Sequence, residues 1–110
     1  MGKSQRTKGA TYERDIVHVL KDALGIDVER NLNQTRDGGG DIDLPGYLVE
    51  CKRRAGIAVY DWLDQATRAA KPDQKPLVIA RADRRESIII MRLHDFLPLL
   101  KGTPNAKTTD

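Results

Sequence analysis

The sequence predicts an α/β fold, a mixed sheet of about five strands flanked by helices. The expected order is α-β-β-β-α-β-β with a terminal helical turn. Three observations predict it. Two stretches with helical apolar periodicity, residues 10–24 and 60–70, enclose a strand-like region. Two continuous apolar runs, residues 76–80 (PLVIA) and 87–91 (SIIIM), follow the second of them. Between the helices lies DGGGDIDLPGYLVECK, a glycine loop that leads into a hairpin pattern. A chain of 110 residues suffices for one domain with a single core. With 39% hydrophobic and 32% charged residues, it is globular rather than disordered.

Residues 1–9 are rich in Lys, Arg, Gly, Ser and Thr and read as a flexible basic arm carrying Lys3, Arg6 and Lys8. They hold no apolar core, so they are not a secretory signal. On the first helix, projected at ~100° per residue, Tyr12, Ile16, Val17, Val19, Leu20, Ala23 and Leu24 share one broad arc. Glu13 falls inside that arc. A carboxylate within an apolar stripe is costly unless it is paired or binds a cation; the alternative is a side chain that reaches out to solvent at the stripe's edge. Gly25 ends the helix.

Residues 26–30 form a short strand candidate, and residues 31–40 a polar loop ending in three glycines. No helix follows those glycines, which excludes a phosphate-cradling P-loop. Pro45-Gly46 then marks a turn. Counting outward from it pairs Leu44 with Tyr47, Asp43 with Leu48, Ile42 with Val49 and Asp41 with Glu50. Opposed side chains have Cβ atoms roughly 4.5–5.5 Å apart, so the register sets two carboxylates side by side. Lys52 lies on the face of Glu50, about 6.6–6.8 Å along the strand. Two carboxylates and a lysine on one face suit a divalent metal with a general base or charge stabiliser beside it. Pro-Gly prefers a type II turn, which fits a two-residue hairpin loop poorly; a four-residue loop over residues 44–47 keeps the same register. Asp43 shares the face of Asp41 and is the rival ligand.

In the second helix, Trp62, Leu63, Ala66, Ala69 and Ala70 make an apolar face with Gln65 beside it, and Lys71-Pro72 ends it. The two apolar runs read as buried strands joined by a polar turn. Residues 93–100 form a short helix, or one broken near Pro98, and residues 101–110 a disordered polar tail.

Lys and Arg outnumber Asp and Glu by 19 to 16, a mild excess that permits a polyanionic partner without establishing one. The single cysteine excludes an internal disulfide framework. No apolar run reaches the roughly 18 residues of a membrane span, so a cytoplasmic location is expected. His18 and His94 read as surface or structural residues, and Trp62 as core rather than a base-stacking platform. Cys51 faces away from Glu50 into the core and lacks a histidine partner for nucleophilic work.

The pattern Asp41…Glu50-x-Lys52 on adjacent strands resembles the active-site motif of the PD-(D/E)xK nuclease superfamily. Lys8-Gly9-Ala10-Thr11-Tyr12-Glu13-Arg14 is similar to the opening of archaeal-type, and phage, Holliday-junction resolvases. Arg30, the glycine loop and Gln65 also match, so the resemblance spans roughly residues 8 to 80. Departures are Gly40 in place of a proline, Cys51 in the middle of the Glu-x-Lys triplet, and a short connection between the acidic residues.

The resemblance implies a restriction-endonuclease-like core, with a nuclease domain over residues 10–100. It implies that Asp41 and Glu50 bind Mg²⁺, replaceable by Mn²⁺, with help from the backbone carbonyl of Cys51. Glu13 would act through bound water or at a second metal position, Lys52 on the attacking water, and Gln65 in support. The expected activity is Mg²⁺-dependent endonucleolytic cleavage of four-way junctions or other branched DNA. Two cuts per junction imply a homodimer, working in a bacterial, archaeal or phage-infected cell. Lys3, Arg6, Lys8, Arg30, Arg36, Arg53 and Arg54 are the expected phosphate contacts. Two other readings stand beside it: a superfamily nuclease for nicking, repair or restriction-like cleavage, and an inactive DNA-binding module. Degenerate members tend to lose acidic or lysine residues, whereas Glu13, Asp41, Glu50 and Lys52 are all present.

Overall fold

The computed structural model describes residues 2–32 and 39–102, and of residues 2–6 the backbone alone. Helix α1 (Gly2–Leu24) is followed by strands β1 (Glu29–Arg30), β2 (Ile42–Leu44) and β3 (Tyr47–Arg54). Helix α2 (Val59–Ala69), strands β4 (Lys75–Ala82) and β5 (Ile88–Ile90) and helix α3 (Leu93–Leu100) complete the chain. The five strands lie in sequence order, β1-β2-β3-β4-β5. β3 and β4 are parallel, joined through α2, and the remaining pairs are antiparallel. This is the expected mixed α/β sheet, compatible with a restriction-endonuclease-like core.

The side chains of β3 alternate between two cores. Val49 and Cys51 pack with Tyr12, Ile16 and Val17 of α1, and with Leu77 and Ile79 of β4. Leu48 packs on the other face with Ala66, Val78, Ala80 and Ile90, against Trp62 and Leu63 of α2. Cys51 is therefore a core residue, and Trp62 packs partly buried against the α2-side core.

Three of the four counted pairs are observed, Ile42 with Val49, Asp43 with Leu48 and Leu44 with Tyr47; the fourth, Asp41 with Glu50, is not a ladder pair, because the Asp41 N–H turns to the carbonyl of Val49. Pro45-Gly46 closes the hairpin in two residues. Gly46 has φ +84°, the value that a type II turn requires at this position and that only glycine adopts at little cost. Asp41 stands one residue ahead of β2 and not within it.

Three expectations need correction. α1 begins at Gly2, eight residues before the start predicted at Ala10, so the supposed flexible arm has helical backbone from Gly2. Residues 2–9 have no apolar periodicity, yet nothing in them breaks a helix outright, since proline is absent. The apolar arc of α1 is buried only in part: Tyr12, Ile16 and Val17 are covered, whereas Val19 and Leu24 are exposed. The run SIIIM is not a buried strand either. β5 is an edge strand in which Ile90 is buried and Ile88 and Ile89 are exposed. Beside it, α3 runs through Pro98 without a break and exposes Leu93, Phe96, Leu97, Leu99 and Leu100. Arg36 and the middle of the glycine-rich loop lie outside the described residues, as do residues 103–110 of the expected tail.

Candidate active site

Asp41 is positioned by its backbone before its side chain is considered. Its N–H donates to the carbonyl of Val49 at 2.7 Å, and its carbonyl accepts from the N–H of Asn31 at 2.8 Å. The residue is thus clamped between β3 and the end of β1. Gly40 makes this approach possible: a Cβ at position 40 would stand 2.4 Å from the Val49 carbonyl oxygen. The side chain of Asp41 then reaches across to β3, where its Oδ2 accepts the N–H of Cys51 at 2.8 Å.

Glu50 follows from the alternation of β3. It pairs with Val78, and Lys52 with Ala80, residues of the α2-side core. Both therefore project on that face. Asp41 and Glu50 are each only 7% exposed. Burial pushes the Glu50 carboxyl up to about 7; the neighbouring Asp41 pushes the same way, against the pull of Lys52. Two buried acids at this spacing resist ionising together. Asp43, the rival ligand, is exposed.

Glu13 arrives from α1. Its Oε1 accepts Arg30 Nε at 3.1 Å, a half-buried ion pair. Burial raises the Glu13 carboxyl above its ordinary range, Asp41 adds to this, and Arg30 opposes it. The acid that interrupts the apolar stripe of α1 is therefore paired and turned towards Asp41, not released to solvent. Arg30, expected among the phosphate contacts, is spent on holding it.

Among the described residues, no three Asp, Glu, His or Cys side chains converge as a ready-made metal cage. Mg²⁺ seldom uses one. It is commonly held by one or two carboxylates, with waters and substrate phosphates completing its octahedron. The buried pair Asp41 and Glu50 fits that donor set, and a cation between them would offset their repulsion.

The other expected residues fall unevenly. Gln65 is exposed beside the buried Ala66 and makes no hydrogen bond to the carboxylates among the described residues. The Cys51 thiol is buried, and burial followed by the neighbouring acids raises its pKa strongly. Arg53 and Lys8 both pair with Asp83, Lys8 at 3.5 Å. Arg54 donates to the carbonyl of Arg53 at 3.1 Å. The side chains of Lys3 and Arg6, like Arg36, lie outside the described residues. Lys8 and Arg53 were expected as phosphate contacts, but Asp83 and its pairing with them were not, because only the packing of α1 and the parallel register of β3 on β4 bring the three together.

A family model described as "Phage putative PDDEXK endonuclease" matches residues 4–109. No curated protein and no solved structure matches the chain.

Proposed function

The chain belongs to the phage PDDEXK endonuclease family, a family of nucleases, and we propose that it is a Mg²⁺-dependent, structure-specific DNA endonuclease acting on four-way junctions or other branched DNA. The observation that carries the metal-dependent chemistry is the buried carboxylate pair, Asp41 clamped beside Glu50 on the adjacent strand. In this reading Asp41 and Glu50 hold the metal, with the backbone carbonyl of Cys51. Bound Mg²⁺, or Mn²⁺ in its place, supplies a polarised phosphoryl oxygen and an acidified water. Lys52, on the face of Glu50, orients that water and offsets charge gathering on the phosphate. Glu13 acts through water, held in orientation by Arg30.

Branched DNA as the substrate rests on the segment from Lys8 to Arg14, with Glu13 at the site, as in the resolvase pattern. Cutting both strands of a junction calls for a two-fold dimer, and no helix of the described residues is long and apolar enough to cross a membrane. The family's phage description supports the cytoplasm of an infected cell as the working place. The test is cleavage of a four-way junction, a flap and a linear duplex, each with Mg²⁺, Mn²⁺, Ca²⁺ or EDTA. Cleavage of branched substrates in Mg²⁺ and Mn²⁺, and none in EDTA, is expected. Equal cleavage of linear duplex would sink the structure-specific part; cleavage in EDTA would sink the metal.

A further inference from the structure

One helical turn before Glu13, a cleft of about 510 Å³ opens between α1 and the C-terminal ends of β3 and β4. Thr7, Lys8, Thr11, Tyr12 and Asp15 line it from the helix, and Arg53 and Arg81 from the sheet. The two arginines are register partners across the parallel strands. They belong to the same alternation as Cys51 and Ile79, which pack against α1. Both guanidinium groups are thus delivered to the α1 side of the sheet. Three cations against the single carboxylate of Asp15 leave the cleft net positive, and with the Thr11 hydroxyl they form a donor set for a phosphodiester; the Tyr12 hydroxyl is bonded to Ser87 at 2.8 Å. Arg53 follows Lys52 in β3 but leaves from the opposite face of the sheet, so the cleft would hold a backbone phosphate apart from the one that Lys52 meets.

One group already meets two of these cations. Asp83, on the turn between β4 and β5, accepts from Arg53 and pairs with Lys8 at 3.5 Å. Its carboxylate is 42% exposed, and an ion pair this open to water is weak and screened by salt. Arg53 holds the Asp83 carboxyl below its usual range, so it stays charged at neutral pH. The carboxylate therefore sits against Lys8 and Arg53 as an anionic DNA phosphate would.

We propose that this cleft is a DNA-phosphate subsite, assembled from Lys8, Arg53 and Arg81, and that Asp83 is an internal counter-ion displaced when the backbone phosphate enters. The proposal rests on the nuclease reading above. Asp83 then lowers affinity for DNA in general and keeps the cations aligned while the subsite is empty. A phosphate entering it exchanges one anion for another and releases fewer salt counterions than three free cations would.

The test is fluorescence anisotropy of a labelled four-way junction in Ca²⁺, over a series of salt concentrations, for the wild type, Asp83→Asn and Arg81→Gln. Thermal melts verify folding. Asp83→Asn is expected to tighten binding about tenfold at 0.1 M salt and to steepen the salt slope by about one. Arg81→Gln is expected to weaken binding and flatten the slope by about one. If folded Asp83→Asn binds no more tightly than wild type, the displacement idea is overturned; if folded Arg81→Gln binds as wild type, the subsite is overturned. Cleavage in Mg²⁺ is measured in parallel: wild-type cleavage with unchanged binding by both variants defeats the subsite alone. Absence of DNA binding and cleavage by the wild type defeats the nuclease reading and the subsite with it.

Discussion

Glu50 is buried beside a second carboxylate, and without a cation that arrangement is unfavourable. Its folded-state pKa is raised from 4.5 to about 7, so between those values the native protein holds a proton that the unfolded chain has lost. This contribution to stability is complete below pH 4.5 and disappears as pH rises through 7. Melting in EDTA should therefore show a Tm that falls from pH 5 to pH 8. Glu50→Gln should flatten that fall and melt on the order of 5 °C above wild type at pH 8, while cleaving at a rate down on the order of 10³-fold. A Glu50→Gln protein that melts lower than wild type in EDTA at pH 8 would contradict the account. The closeness of Asp41 to Glu50, though not as a ladder pair, was legible because strand alternation has a period of two and Pro45-Gly46 anchors the count. Glu13 was legible as an oddity, a charge inside an apolar arc. Its partner Arg30 was not, because ion pairing depends on where β1 ends relative to α1, which periodicity does not report.

At the scale of elements, two glycines should respond in opposite ways. Gly40 lies against the Val49 carbonyl, and a Cβ there would stand 2.4 Å from that oxygen. Backbone cannot yield as a side-chain tip does, so Gly40→Ala should cost about 1–3 kcal/mol and displace Asp41 enough to abolish cleavage. Gly9 lies within α1, and nothing stands within 4 Å of a Cβ built on it. Gly9→Ala should therefore stabilise the helix by about 0.5–1 kcal/mol. Differential scanning calorimetry reads both; the same sign for the two would overturn this view of how they are packed. The helical and strand elements were legible from apolar period. The start of α1 was not, because the segment before Ala10 is polar and helical at once. Nor was the exposure of β5, since a run of isoleucines looks the same at a sheet's edge as at its centre.

For the whole molecule, Ile89 of the edge strand β5 and Leu93 and Phe96 of α3 are exposed and line one surface with Met91. An apolar face on an unpaired sheet edge invites association. On the proposed junction-cutting activity, we propose that the occupant is a second copy, in an isologous contact. Light scattering should give a dimer for the wild type and a monomer for Phe96→Glu combined with Ile89→Lys, with the monomer nicking junctions but not resolving them. A dimer that survives both substitutions would place the contact elsewhere. The fold and the acidic site could be read from the sequence because both rest on local periodicities. The clusters made by distant strands, Lys8 and Arg53 on Asp83 above all, could not. The central claim is that the carboxylate pair of Asp41 and Glu50 is a metal-dependent nuclease site. Single-turnover cleavage of a four-way junction by wild type and Glu50→Gln, each in Mg²⁺ and in EDTA, tests it most directly. Cleavage by wild type in Mg²⁺ alone is predicted, with junction binding retained by both proteins; cleavage by purified Glu50→Gln at the wild-type rate would contradict it.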